Sequence, residues 1–115
     1  MKFKEYKIFL EASKIIEIQL RKKFPEVRFV LRTEKDYVIL QIMVIQEKRR
    51  GKGEAKAFMK YLIELGKENK QDIYLTPSDL YGGDEKRLEK FYRSLGFTDN
   101  KSNIKEKLVY STKGN

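Results

Sequence analysis

Residues Tyr37-Val38-Ile39-Leu40-Gln41-Ile42-Met43-Val44-Ile45 form an almost unbroken apolar run, and beyond them the chain changes period. Ala55, Phe58, Met59 and Leu62 recur at helical spacing in a helix expected from about 52 to 68, and a second short strand-like run follows at Asp72–Thr76. Strand, helix and strand in that order form a crossover unit, which makes 37–45 and 72–76 parallel neighbours in one sheet. So continuous an apolar run also predicts a central strand covered on both faces.

The flanks extend this core. Residues 4–24 read as an amphipathic helix with Phe9, Ala12, Ile16 and Leu20 on one stripe, stopped by Pro25. In 27–33, Val27, Phe29 and Leu31 alternate with Arg28, Val30 and Arg32, the pattern of a half-buried strand. The short turn Glu34-Lys35-Asp36 returns the next strand antiparallel. Downstream, 79–84 reads as a loop with Gly82-Gly83 at its hinge, followed by a helix over 84–94 that Gly96 ends. Leu88, Phe91, Tyr92 and Leu95 form its apolar stripe. A strand near 97–99, a turn at 100–103 and a strand at 105–111 complete the chain. The expected whole is one domain over 1–115, of the α/β (α+β) class: a mixed sheet flanked by helices.

Between the long strand and its helix stands Arg50-Gly51-Lys52-Gly53-Glu54-Ala55. A strand turning through two glycines into a helix gathers backbone N–H groups at a helix N-terminus, a seat suited to a pyrophosphate. Gly51 and Gly53 let the backbone approach an anion, and Arg49, Arg50 and Lys52 add counter-charge. A negative charge there gains roughly 0.3–1 kcal/mol from the helix dipole. The loop is not a nucleotide P-loop, because Glu54-Ala55 stand where Lys-Ser/Thr is required. It also lacks the third glycine of a dinucleotide fingerprint.

Composition narrows the chemistry. The chain has no cysteine and no histidine, which removes disulfides, thiolate zinc sites, cysteine nucleophiles, Ser-His triads and the commonest transition-metal ligand. Acid–base work falls to Asp, Glu, Tyr, Lys or water. The net charge of +9 favours anionic partners, from coenzyme phosphates to nucleic acid. No apolar run reaches the length of a bilayer, and the basic N-terminus lacks the apolar stretch of a secretory signal. A cytoplasmic protein without a membrane anchor is the expectation.

At this point the chain resembles the GNAT superfamily of acetyl-coenzyme A-dependent N-acetyltransferases. Arg50 to Ala55 is similar to that family's Arg/Gln-x-x-Gly-x-Gly/Ala pyrophosphate loop. About forty residues on, Phe91-Tyr92-Arg93-Ser94-Leu95-Gly96-Phe97 is similar to its aromatic-Tyr-x-x-x-Gly-Phe element. The order of elements fits from about residue 27 to 111. Thr76-Pro77-Ser78 and Lys86-Arg87-Leu88 are also similar to compact members found in phages and mobile elements.

The resemblance implies acetyl-CoA as cosubstrate and direct acetyl transfer to a primary amine, with a peptide or protein among the candidate acceptors. It implies that strands 37–45 and 72–76 splay at their C-terminal ends, and that the pantetheine arm pairs with backbone near Met43, Val44 and Ile45. Arg50, Gly51, Lys52, Gly53, Glu54 and Ala55 would hold the pyrophosphate, and Tyr92 would protonate the departing thiolate. Tyr92 equally completes its helix's apolar stripe. A phenol titrates near about 10 and a thiol near about 8.5, so the gain lies in a fixed hydrogen bond to the developing thiolate. Deprotonating a lysine-like amine at pH 7 costs roughly 4–5 kcal/mol, and Glu47, Asp79, Asp84 and Glu85 are the carboxylates near the expected mouth.

The chain departs from the family in two places. One helix, rather than a strand and two helices, precedes Val27, so either the site is open to a peptide or polymer or a second subunit of a homodimer closes it. Glu85 stands where many members carry an asparagine. Two rival readings are a small basic nucleic-acid-binding module and a coenzyme A-binding protein without turnover. The first wants aromatics interleaved with lysines on an exposed face, whereas most aromatics here lie on apolar stripes.

Overall fold

In the computed structural model, residues 14–78 and 84–112 are described, with the side chain of Glu47 left aside. Helix α1, described over 14–23, buries Ile16 and Leu20 completely. Residues 4–13 of the expected helix, with Phe9 and Ala12, lie outside the described residues. The chain leaves α1 through Phe24, whose N–H still donates to the Leu20 carbonyl at 2.9 Å. The Phe24 ring then meets Phe58 edge-on at 5.5 Å.

Strands β1 (Arg28–Thr33) and β2 (Tyr37–Val44) pair antiparallel, with Phe29 and Leu31 buried and Arg28, Val30 and Arg32 exposed as the alternation requires. A bulge interrupts their register: Val30 faces Ile42 while Leu31 faces Leu40, leaving Gln41 as the extra residue. Helix α2 (Glu54–Asn69) turns Phe58, Met59, Leu62, Ile63 and Leu65 into the core. It starts two residues later than the expected position near 52, because Gly53 sits at φ 77, outside the helical region.

After α2, Lys70 in the left-handed conformation delivers the chain to β3 (Asp72–Leu75), parallel to β2 as the crossover predicts. Helix α3 (Glu85–Ser94) is capped by Asp84, whose side chain accepts the Lys86 N–H at 3.0 Å. Strands β4 (Thr98–Asp99) and β5 (Leu108–Tyr110) are shorter than expected. Asn100 accounts for this. Its amide donates to the carbonyls of Ile104 and Glu106 at 2.6 and 2.8 Å, and its oxygen accepts the Ser102 N–H, so 100–107 is wrapped into a loop.

The five strands form one mixed sheet in the order β1-β2-β3-β5-β4. Residues of α1, α2, α3 and the sheet share one buried cluster, in which Phe97 and Tyr92 join Phe58, Leu62 and Ile73. Among the described residues, no helix is long and apolar enough to cross a membrane.

Candidate functional site

β2 is fully covered only over its first half. Val38, Ile39 and Leu40 are buried, whereas Ile42, Met43 and Val44 are half-buried. The reason is the register: the parallel pairing runs from Tyr37↔Asp72 to Leu40↔Leu75 and stops there. β2 continues beyond Leu40, while β3 gives way to Thr76-Pro77-Ser78. A groove of about 620 Å³ opens between the two segments. Met43, Val44 and Ile45 line one wall, and Leu75 to Ser78 line the other.

The glycine turn closes one end of this groove. Gly51 and Gly53 have φ 80 and 77, and Gly53 is the N-cap of α2 with no side-chain cap. The first turn of α2 thus presents backbone N–H groups that no capping side chain covers. Gly51, Gly53, Glu54 and Ala55 line the groove beside it. Arg50 lines it too, and its Nε donates to the Ile45 carbonyl at 3.0 Å, which ties the loop back to the end of β2. Lys52 is placed differently: it lines a smaller hollow of about 310 Å³ with Phe24 and Ala57.

Glu54 and Arg49 form a bidentate ion pair, Nε to Oε1 at 2.9 Å and Nη2 to Oε2 at 2.6 Å. That pair holds the Glu54 carboxyl below the usual carboxylate range and raises the Arg49 guanidinium, the shared hydrogen bonds being the main cause. With Arg50, Lys56 and Arg87 also on its lining, the groove is electropositive.

Tyr92 lines the groove from α3 and is only 7% exposed. Its ring packs against Phe91 at 5.2 Å and Phe97 at 5.8 Å. Burial pushes its phenol up to about 12, so it stays protonated at neutral pH. Among the described residues, no hydrogen-bond partner meets its hydroxyl.

Of the four carboxylates near the expected mouth, Asp84 is engaged as the α3 cap and Glu85 is exposed; neither lines the groove. Glu47 falls in a single turn of 3-10 helix, Glu47–Arg49, and Asp79 lies outside the described residues. The sequence reading missed Arg87, Leu88 and Phe91 as lining residues. Their signal was present in the spacing, since Leu88 falls four positions before Tyr92 on the same helix face, and Arg87 and Phe91 are four apart on the row beside it. Leu88 and Phe91 read as core stripe, but they are half-buried because that stripe faces the groove.

No protein-family model and no curated protein matches the sequence. Solved structures do resemble it. The anti-CRISPR protein AcrVA5 is 19% identical with a TM-score of 0.59, over 76% of this chain and 92% of that one. Ard1 from Thermoplasma volcanium is 16% identical with a TM-score of 0.51, over 82% of this chain and 73% of that one. At such identities the likeness is one of architecture. The chain has the mixed sheet and flanking helices of the GNAT fold.

Proposed function

We propose that this protein is an acetyl-CoA-dependent N-acetyltransferase acting on a primary amine. The observation that carries the reading is the groove itself: it places the uncapped N-terminus of α2 and the buried Tyr92 on one continuous lining. A pyrophosphate suits the first, and a leaving thiolate suits the second. The GNAT fold supports the assignment.

In this reading the extended pantetheine arm lies along the half of β2 that β3 does not pair, over Met43, Val44 and Ile45. The backbone of residues 51–55 holds the pyrophosphate. The acceptor nitrogen would attack the thioester carbonyl and the carbon–sulfur bond would break, the sulfur leaving as a thiolate that accepts a hydrogen bond from the Tyr92 hydroxyl. The proton lost by the nitrogen passes to water. With its pKa pushed up to about 12, Tyr92 acts chiefly by donating a hydrogen bond as charge builds on sulfur.

The test is thermal. Acetyl-CoA at about a hundred times its Kd stabilises a one-site protein by about 2.7 kcal/mol. The melting temperature should rise with acetyl-CoA and much less with acetyl-pantetheine, which lacks the pyrophosphate. No shift at millimolar acetyl-CoA overturns the reading. Thiol release on a panel of amines separates transfer from binding without turnover.

A further inference from the structure

A carboxylate is the wrong group to place in an anion seat. Glu54 opens α2 directly beside Gly53, in the helix turn that would face a pyrophosphate, and its side chain is 15% exposed. Left alone, it would occupy the positive end of the helix itself and repel an incoming diphosphate. Arg49, on the other side of the glycine turn, holds both of its oxygens. Arg49, Gly53 and Glu54 line both the groove and the smaller hollow, so the ion pair forms part of the wall between them.

Resting on the coenzyme reading above, we infer that Arg49 serves diphosphate binding indirectly, as the partner that neutralises Glu54 and holds its carboxylate in the wall. Arg49 is then a positioning residue, and the two side chains work as a unit. The phosphate contacts themselves fall to the loop backbone. Removing the guanidinium alone would leave an unpaired anion in the seat, which is worse for an anionic ligand than removing both charges.

The experiment is a double-mutant cycle read by calorimetric titration with coenzyme A and, in parallel, pantetheine. Arg49→Ala should weaken coenzyme A binding about tenfold or more, in line with uncovering a charge in a binding site. Glu54→Gln should bind as tightly as wild type or tighter. Arg49→Ala with Glu54→Gln should recover to within about threefold of Glu54→Gln alone, the signature of coupled charges. Pantetheine affinity should be the same in all four proteins. An equal loss from Arg49→Ala in both backgrounds overturns the inference, because Arg49 would then touch the ligand itself. A parallel loss of pantetheine affinity also overturns it, since the pair would then only hold the fold. Absence of coenzyme A binding by the wild type is a different failure, that of the acetyltransferase reading.

Discussion

A β-carbon added to Gly96 would lie 2.8 Å from Cε2 of the Tyr110 ring, at a backbone φ of +110. The glycine therefore does two things at the end of α3. It turns the chain where other residues are strained, and it makes room for the ring that meets Phe97 edge-on at 5.7 Å. Phe97 in turn packs on Tyr92. Gly96→Ala should lower unfolding stability by roughly 2–4 kcal/mol, from backbone strain plus overpacking. Urea denaturation measures it, and a loss below about 1 kcal/mol would show that the Tyr110 ring moves aside freely.

Gly66 tests packing against propensity. Alanine in mid-helix gains about 1 kcal/mol over glycine. Here the new methyl would stand 2.9 Å from the Gln71 carbonyl oxygen and 3.0 Å from Ile73 Cδ1, between α2 and β3. The first of these is backbone and cannot swing away. Gly66→Ala should therefore be net destabilising by roughly 1–3 kcal/mol. A more stable variant would mean that α2 lifts off β3 at little cost.

Tyr92→Phe should lower acetyl transfer by about 10²–10⁴-fold while leaving coenzyme affinity unchanged. Steady-state rates and calorimetry on the same preparation separate the two. Wild-type turnover in the variant would remove the hydroxyl from the chemistry.

The same substitution has a pH signature. The Tyr92 phenol is raised from 10.0 to about 12 by burial, so the folded state keeps a proton that the unfolded state releases. Below pH 10 the two states hold it equally. As pH climbs from 10 towards 12 the unfolded chain ionises first, and wild type should lose about 2–3 kcal/mol relative to Tyr92→Phe. Parallel stability curves for the two proteins across that window would contradict it.

Asp84 separates capping from chemistry. Asp84→Ala should cost about 1 kcal/mol of stability through the lost hydrogen bond to the Lys86 N–H. Acetyl transfer at a temperature where the variant is folded should be within about threefold of wild type, because the carboxylate serves the helix. A collapse of turnover with the fold intact would make Asp84 the base.

Much of this architecture was legible because it is periodic. The crossover, the presence of a helix after the glycine turn and the alternating β1 all follow from spacing alone. What spacing does not carry was missed. The bulge at Gln41 depends on how two strands meet, and Asn100's wrap of the following loop depends on one side chain reaching three backbone groups. The faces of α3 were also ambiguous. An apolar stripe looks the same whether it meets core or groove, so Leu88 and Phe91 read as interior. The Arg49–Glu54 pair spans five residues across a glycine turn, a spacing with no helical or strand signature.

The early end of the β2–β3 pairing divides the sheet into two leaves. β1 with β2 forms one, and β3, β5 and β4 form the other, joined by the four rungs from Tyr37↔Asp72 to Leu40↔Leu75. The base of this hinge is bolted further, since Gln71 Nε2 donates to the Lys35 carbonyl at 3.1 Å. Beyond Leu40, among the described residues, β2 has no strand partner on its β3-facing side. An extended chain laid in the groove would therefore meet the edge of a sheet already begun.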